Sequence, residues 1–289
     1  MRLVAYEKDG LPSWGVVTDQ GTVEGPSIAA NLPATLPALI AAGPAALANI
    51  RQALAAGLGT MVANVKPILP VGRNVTTVCV GLNYTKHAIE GGNPIPDYPA
   101  LFMRGYNSLV AAEAPMLLPH VSEKLDYEAE LMIVIGKRGR YISEADALDY
   151  VFGYTIFNDG SVRDFQRKST QWTVGKNFDR TGAIGPWIVT ADDLPLGATN
   201  LRILSRLDGE IMQDSDTGDM IFSTAKAVHY VSEFMTLEPG DVIAMGTPSG
   251  VGYARKPPVF MRHGQIVEIE IEGIGILRNP IVAEPSRRE

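Results

Sequence analysis

The chain has 289 residues, of which 25 are Lys or Arg and 32 are Asp or Glu, a formal net charge of −7. Charge of that sign argues against a nucleic-acid or anionic-membrane binder, either of which needs a basic face. Apolar residues at 46% and charged residues at 20% exclude a disordered chain, and a single cysteine, Cys79, excludes a disulfide framework or a cysteine-built zinc site.

In chain order, Arg2–Glu7 and Ser13–Thr18 alternate around Asp9-Gly10, with Gln20-Gly21 following, and predict a small β-meander. Residues Met1–Lys8 lack the apolar core of a signal peptide, so the reducing cytoplasm is the expected compartment. Between Glu24 and Lys66 the only charge is Arg51. Pro26, Pro33, Pro37 and Pro44 interrupt this stretch, and no window holds the ~20 strongly apolar residues of a membrane span. Two short helices are expected there, at Leu36–Ala42 and Ala45–Ala56. The segment Lys66–Gly72, with two prolines and a glycine, reads as a linker between a small N-terminal α+β unit (1–70) and a mostly β body (71–289). Strands are expected at Thr76–Val80, Tyr127–Ile135, Val151–Phe157, Trp187–Thr190, Leu201–Leu207, Asp241–Met245 and Gln265–Glu272, with one clear helix at Phe222–Met235.

Four segments concentrate polar chemistry. In Gly81–Glu90, a helical turn makes His87 and Glu90 neighbours, either a dyad that orients an imidazole and raises its basicity or a plain surface pair. In Asp126–Glu130, alternate strand residues share a face, so Glu128 and Glu130 repel unless a cation or a shared proton intervenes. Glu268, Glu270 and Glu272 have the same spacing and read as a solvated hairpin face, so spacing alone leaves both readings open. The apolar run Leu131–Ile135 favours burial of the first pair. An apolar strand ends at Asn158-Asp159 and a helix begins near Ser161, placing Arg163 and Gln166 on one side of its first turn. That is an anion site, or simply a capped helix with a surface ion-pair partner. Lys176, in Gly175–Asp179, fits the surface as well as a site. His120, His229 and His263 have no comparable partner and are read as structural.

Together and in this order these segments resemble the fumarylacetoacetate hydrolase family. The motifs are Gly81-x-Asn83-Tyr84-x-x-His87-x-x-Glu90, Glu128-x-Glu130, Asn158-Asp159-x-Ser161-x-Arg163-Asp164 and Trp172-x-x-Gly175-Lys176-x-Phe178-Asp179. They continue with Gln213-x-x-x-Thr217-x-x-Met220-Ile221-Phe222, Pro239-Gly240-Asp241 and Gly246-Thr247-Pro248-x-Gly250-Val251-Gly252. The resemblance runs from about Val75 to Val282. It implies a mostly β, α+β chain: a mixed β-roll catalytic domain with a small N-terminal α+β cap, usually a homodimer, holding Mg²⁺ or Mn²⁺, with Ca²⁺ as a further option. By position, Glu128, Glu130 and Asp159 match the family's metal carboxylates. His87 and Glu90 match its general-base dyad, on a segment that closes over the substrate in many members. Lys176 matches a catalytic position that meets the substrate's carboxylate and keto oxygens, where its charge would stabilise developing negative charge. Arg163, Gln166 and Thr247 match positions that meet the substrate's carboxylate and keto oxygens, and Tyr84 and Arg104 are added as substrate contacts. Departures are Gly160 and Val162 where many members carry Val and Ala, Met245 where Thr is common, and Arg104 where Lys is frequent. With Arg104, Tyr106 and Asn107 are expected along the same pocket.

Hard oxygen ligands select a hard dication, and a 2-keto acid chelates such an ion through two oxygens, which stabilises an enolate. With the resemblance, the expected activity is metal-dependent hydrolysis of a C–C bond in acylpyruvate or β-diketo acids of aromatic or sugar-acid catabolism. The alternative is decarboxylation or isomerisation of 2-keto acids, of the oxaloacetate or hydroxy-diene-dioate type, through the same enolate. A different class is a non-catalytic protein whose acidic cluster holds a structural cation. A metal-free carboxylate-pair glycosidase has no use for a His–Glu lid or a Lys176-like charge. The expected partner is a small keto acid, with no nucleic acid and no membrane.

Overall fold

The structure, a computed structural model, describes residues 1–285. The N-terminal meander forms as β1 (Arg2–Lys8), β2 (Leu11–Thr18) and β3 (Gly21–Glu24). Asp9 and Gly10 between the first two both have positive φ (52° and 78°), the backbone that a two-residue hairpin turn requires. Three helices follow, α1 (Gly25–Ile28), α2 (Leu36–Ala42) and α3 (Pro44–Ala55), and then β4 (Met61–Val62). Thr35 caps α2 by accepting from the Ala38 N–H, and α1, α2 and α3 each carry proline in the first turn, where its missing N–H costs nothing.

The body begins with β5 (Thr77–Gly81), α4 (Thr85–Glu90), β6 (Ala100–Arg104), β7 (Leu109–Ala111), β8 (Met116–Leu118), β9 (Leu125–Asp126) and β10 (Ala129–Ile135). It continues with β11 (Val151–Asp159), β12 (Ser161–Val162), α5 (Arg163–Gln166), α6 (Thr173–Lys176) and β13 (Gly182–Thr190). It ends with β14 (Arg202–Leu207), β15 (Glu210–Asp216), α7 (Thr224–Phe234), β16 (Val242–Ala244), β17 (Ile266–Ile271) and β18 (Gly275–Ala283). The large mixed sheet runs β4-β3-β2-β1-β13-β11-β10-β16-β5-β6, with β7 beside β13. A second sheet runs β15-β14-β17-β18-β8, and β9 pairs with β12. This strand-rich α+β architecture is the expected one.

The expected boundary near residue 70 does not separate two cores. β1 pairs with β13 through Arg2↔Val189 and Leu3↔Ile188, so the N-terminal strands extend the catalytic sheet. Leu3, Trp14, Leu39, Ile40 and Ile50 pack in one cluster with Met132, Val134, Phe157, Ile184, Ile188 and Val242. The reason lies in β10, all seven residues of which are buried. Its period of two sends Leu131, Ile133 and Ile135 into the core shared with the second sheet, and Met132 and Val134 into the core closed by the N-terminal unit. Without residues 1–70 that second face would be open to water. No helix among the described residues is long and apolar enough to cross a membrane.

Candidate active site

The same alternation places the acidic residues. Glu128 and Glu130 lie in phase with Met132, just ahead of the apolar run. On the antiparallel neighbour β11, Phe157 stands opposite Glu130, and the Asp159 N–H donates to the Glu128 carbonyl at 3.0 Å. Glu128, Glu130 and Asp159 therefore share one sheet face at adjoining strand ends. All three are buried, and each offers an oxygen within 4.8 Å of the others. They line a cavity of ≈ 360 Å³ together with His87, Arg163, Gln166, Lys176, Thr247 and Tyr253. That volume is at the small end of ligand sites (about 300–1,000 Å³), as a small acid would need.

Charge is unevenly shared across this centre. Lys176 Nζ donates to Glu128 at 2.7 Å and to Asp159 at 2.5 Å. Arg163 Nε donates to Asp126 at 2.8 Å, while its Nη2 stands 2.6 Å from Glu128, a charge contact without hydrogen-bond alignment. Burial alone would raise the Glu128 carboxyl, but Lys176 and Arg163 bring it down to about 2. Burial alone would strip the Lys176 proton, but Asp159 and Glu128 hold it in place and its pKa lies above the ordinary value. Glu130 has less help, since Lys176 lowers its carboxyl only as a lesser effect and makes no ion pair with it. Its one hydrogen bond comes from the Gly246 N–H at 3.0 Å, and burial, then Asp159 and Glu128, drive its carboxyl well above the usual range. A buried carboxylate crowded by two others and lacking a cation of its own asks for a proton or a metal. Oxygens that close together suit one dication with bonds of about 2.0–2.6 Å, so the donor set fits Mg²⁺ or Mn²⁺.

α4 brings the dyad to the same cavity. His87 Nδ1 is 2.8 Å from Glu90 Oε1, and the Gly250 N–H donates to both Glu90 oxygens at 3.2 and 3.0 Å. Because an ionised carboxylate only accepts, the neutral imidazole carries its proton on Nδ1 and keeps its lone pair on Nε2. Gln166 accepts from Arg163 Nη1 at 2.9 Å, so its amide hydrogens remain free. Thr247 Oγ1 accepts from Gln213 Nε2 at 2.7 Å, which leaves its hydroxyl hydrogen for a ligand. α6 packs tightly on α5: a Cβ on Gly175 would come within 2.5 Å of the Gln166 backbone. That approach keeps Lys176 beside the carboxylates.

Several expected contacts lie elsewhere. Arg104 is absent from the cavity wall. Its fully buried guanidinium pairs with Asp159 and donates to Gly160 O (3.1 Å), Ser108 Oγ (3.2 Å) and Thr181 Oγ1 (2.8 Å). It is a strut behind the carboxylate cluster. Tyr84 is buried with its hydroxyl unpartnered and lines a separate small pocket with Ser215, Asp219 and Ser249. Tyr106 carries the Arg73 guanidinium over its ring, and Asn107 donates to Asp179 at 2.7 Å, both away from the cavity. Residues singled out only by the structure are Asp126, Arg167 and Tyr253. Fully buried Asp126 accepts from Arg163, from the Gly252 N–H at 2.8 Å and from the Tyr253 N–H at 3.0 Å. It ties Arg163 to the loop after Thr247. Its only sequence signal is an acid directly after an apolar residue in a short strand.

The chain is similar to known proteins over nearly its whole length. A family model described as fumarylacetoacetate (FAA) hydrolase, C-terminal, matches residues 76–282. The mitochondrial oxaloacetate tautomerase FAHD2A of Bos taurus is 40% identical over 289 residues, covering 98% of this chain and 92% of that protein. The structure of a fumarylacetoacetate hydrolase from psychrophilic Exiguobacterium antarcticum is similar with TM-score 0.84 and 33% identity, covering 98% of this chain and 100% of the other. That of 5-carboxymethyl-2-hydroxymuconate delta-isomerase from Mycobacterium smegmatis gives 0.78 at 31% identity, covering 99% and 100%. With the family model spanning most of the chain, and a relative alike over nearly all of it, the protein is an enzyme of the fumarylacetoacetate hydrolase family.

Proposed function

We propose that this chain is a metal-dependent keto–enol tautomerase of a 2-keto dicarboxylic acid of the oxaloacetate class. It is the isomerase branch of the alternative to hydrolysis, namely decarboxylation or isomerisation of 2-keto acids. The near-full-length likeness to a protein named oxaloacetate tautomerase, and the structural likeness to one named an isomerase, support it over C–C hydrolysis. The observation that carries the reading is the meeting of the His87–Glu90 pair and the three-carboxylate cluster on one small cavity.

Tautomerisation breaks one C3–H bond and forms one O–H bond, with no water consumed and no fragment released. His87 Nε2 takes the C3 proton, the C–H electrons become the C2=C3 bond, and the former carbonyl electrons move to the 2-oxygen. The imidazolium then returns the proton to that oxygen. Glu90 fixes the tautomer that makes Nε2 the base, and Gly250 fixes Glu90. When bound, the dication supplies Lewis-acid stabilisation of negative charge at the 2-oxygen. Lys176, which keeps its proton, adds a fixed positive charge, while Gln166 and Thr247 offer donors that orient the substrate.

The test follows enol absorbance of oxaloacetate with and without Mg²⁺. Accelerated interconversion is expected, with a loss on complete chelation and a fall of about 10²–10⁴ in rate for H87A. A protein that leaves oxaloacetate interconversion at its uncatalysed rate while cleaving acylpyruvates overturns the reading in favour of hydrolysis.

A further inference from the structure

Among the described residues, three Lys or Arg side chains line the cavity: Arg163, Arg167 and Lys176. Two are committed. Arg163 and Lys176 are buried and paired with Asp126, Glu128 and Asp159. Arg167 follows directly after α5, is exposed, and pairs with no carboxylate among the described residues. It is nonetheless placed, not loose. Its N–H donates to the Arg163 carbonyl at 3.2 Å, and its guanidinium lies 4.3 Å from the centre of the Tyr253 ring, with that of Arg163 at 4.5 Å from the same ring. Tyr253 is held in turn by its N–H on Asp126, and its hydroxyl reaches towards Gly91 at the end of α4. A guanidinium stacked on an anchored aromatic keeps its planar fork of donors available, which is the geometry that grips a carboxylate in two places.

We propose that Arg167, steadied by Tyr253, binds the second carboxylate of a dicarboxylate substrate and so makes the enzyme prefer diacids to monoacids. The inference rests on the keto-acid reading for the orientation of the substrate: the 2-keto acid end meets the carboxylate cluster, leaving the far carboxylate for Arg167, the one uncommitted cation on the wall among the described residues. A monocarboxylate of the same length would leave Arg167 unused.

The test is a binding measurement on the full-length protein loaded with Mg²⁺, titrated calorimetrically with malate and with lactate. The two share a 2-hydroxy acid end and differ in the second carboxylate. Wild type should bind malate about tenfold more tightly than lactate, R167Q should bind the two alike, and R167E should reverse the order. Lactate affinity should stay within about twofold in both variants, which also reports that they are folded. Wild type binding malate no more tightly than lactate overturns the proposal. So does an R167Q that keeps the preference, or one that loses affinity for both ligands equally. None of these readouts requires turnover. Failure of oxaloacetate tautomerisation with the malate preference intact would remove the proposed reaction and leave the subsite standing.

Discussion

Glu130 is the residue on which the electrostatics of the centre turn. Its carboxyl is raised by burial and by two neighbouring acids, so an ionised Glu130 weighs against the metal-free fold. E130Q keeps the shape and removes that charge. Without metal it should be at least as stable as wild type at neutral pH. Saturating Mg²⁺ at about a hundred times its Kd should stabilise wild type by roughly 2.7 kcal/mol and leave E130Q nearly unmoved. Thermal unfolding with and without Mg²⁺ checks this, and equal Mg²⁺ shifts in the two proteins would remove Glu130 from the ligand set. Arg104 gives the opposite sign. R104M leaves Asp159 buried beside one cation fewer and should cost about 3–5 kcal/mol, read by chemical denaturation. A stable R104M with weakened ligand binding would return Arg104 to the cavity. At this scale the sequence was readable only in part. Glu128-x-Glu130 and Glu268-x-Glu270 look alike as strings, yet the second pair sits half-buried on β17 and meets Arg278 and Arg206 at 3.3 and 2.7 Å. What separates them is whether the strand is covered on both faces, a property of partners distant in the chain.

Elements with a long, regular pattern were legible. α2, α3, α7 and the strands β1, β2, β10, β11, β14 and β17 stand within a few residues of expectation. β7 and β8 are three residues each and have no period to read, while β18 carries Pro280 inside a nine-residue strand. Such elements exist because parallel neighbours, β13 for β7 and β18 for β8, supply their hydrogen bonds. The turn between β11 and β12 explains one departure from the family motif. A Cβ on Gly160 would fall 2.1 Å from the Thr181 carbonyl oxygen and 2.9 Å from Met116 Cε, so β13 here lies against the turn with no room for the Val that many members carry. G160V should cost about 1–3 kcal/mol and lower the Tm by several degrees. Because Asp159 is the preceding residue, Mg²⁺ binding should weaken with it. An unchanged Tm would show that the turn can open without loss.

At the scale of the whole molecule, the large sheet ends on β6, which among the described residues pairs only with β5. Met103 on that edge is 50% exposed, and Val174 is 56% exposed on α6, whose following residue Asn177 donates to the Met103 carbonyl at 3.2 Å. An uncovered strand edge bearing apolar side chains is a place where a second chain gains by docking. We expect a homodimer in solution, to be measured by sedimentation velocity, and a monomer at micromolar concentration would refute it. The other end of the sheet has a different consequence. Arg2 finds its partner at Val189, so β1 leaves the ribosome long before the strand that satisfies its other edge is synthesised. The hairpin with β2 can form at once and α2 and α3 can cover part of the apolar surface beneath it, but the rest stays bare until β10, β11 and β13 emerge. A nascent chain of this design depends on whatever shelters hydrophobic surface during translation, and a pause in synthesis before β13 would leave it most prone to clump with its neighbours.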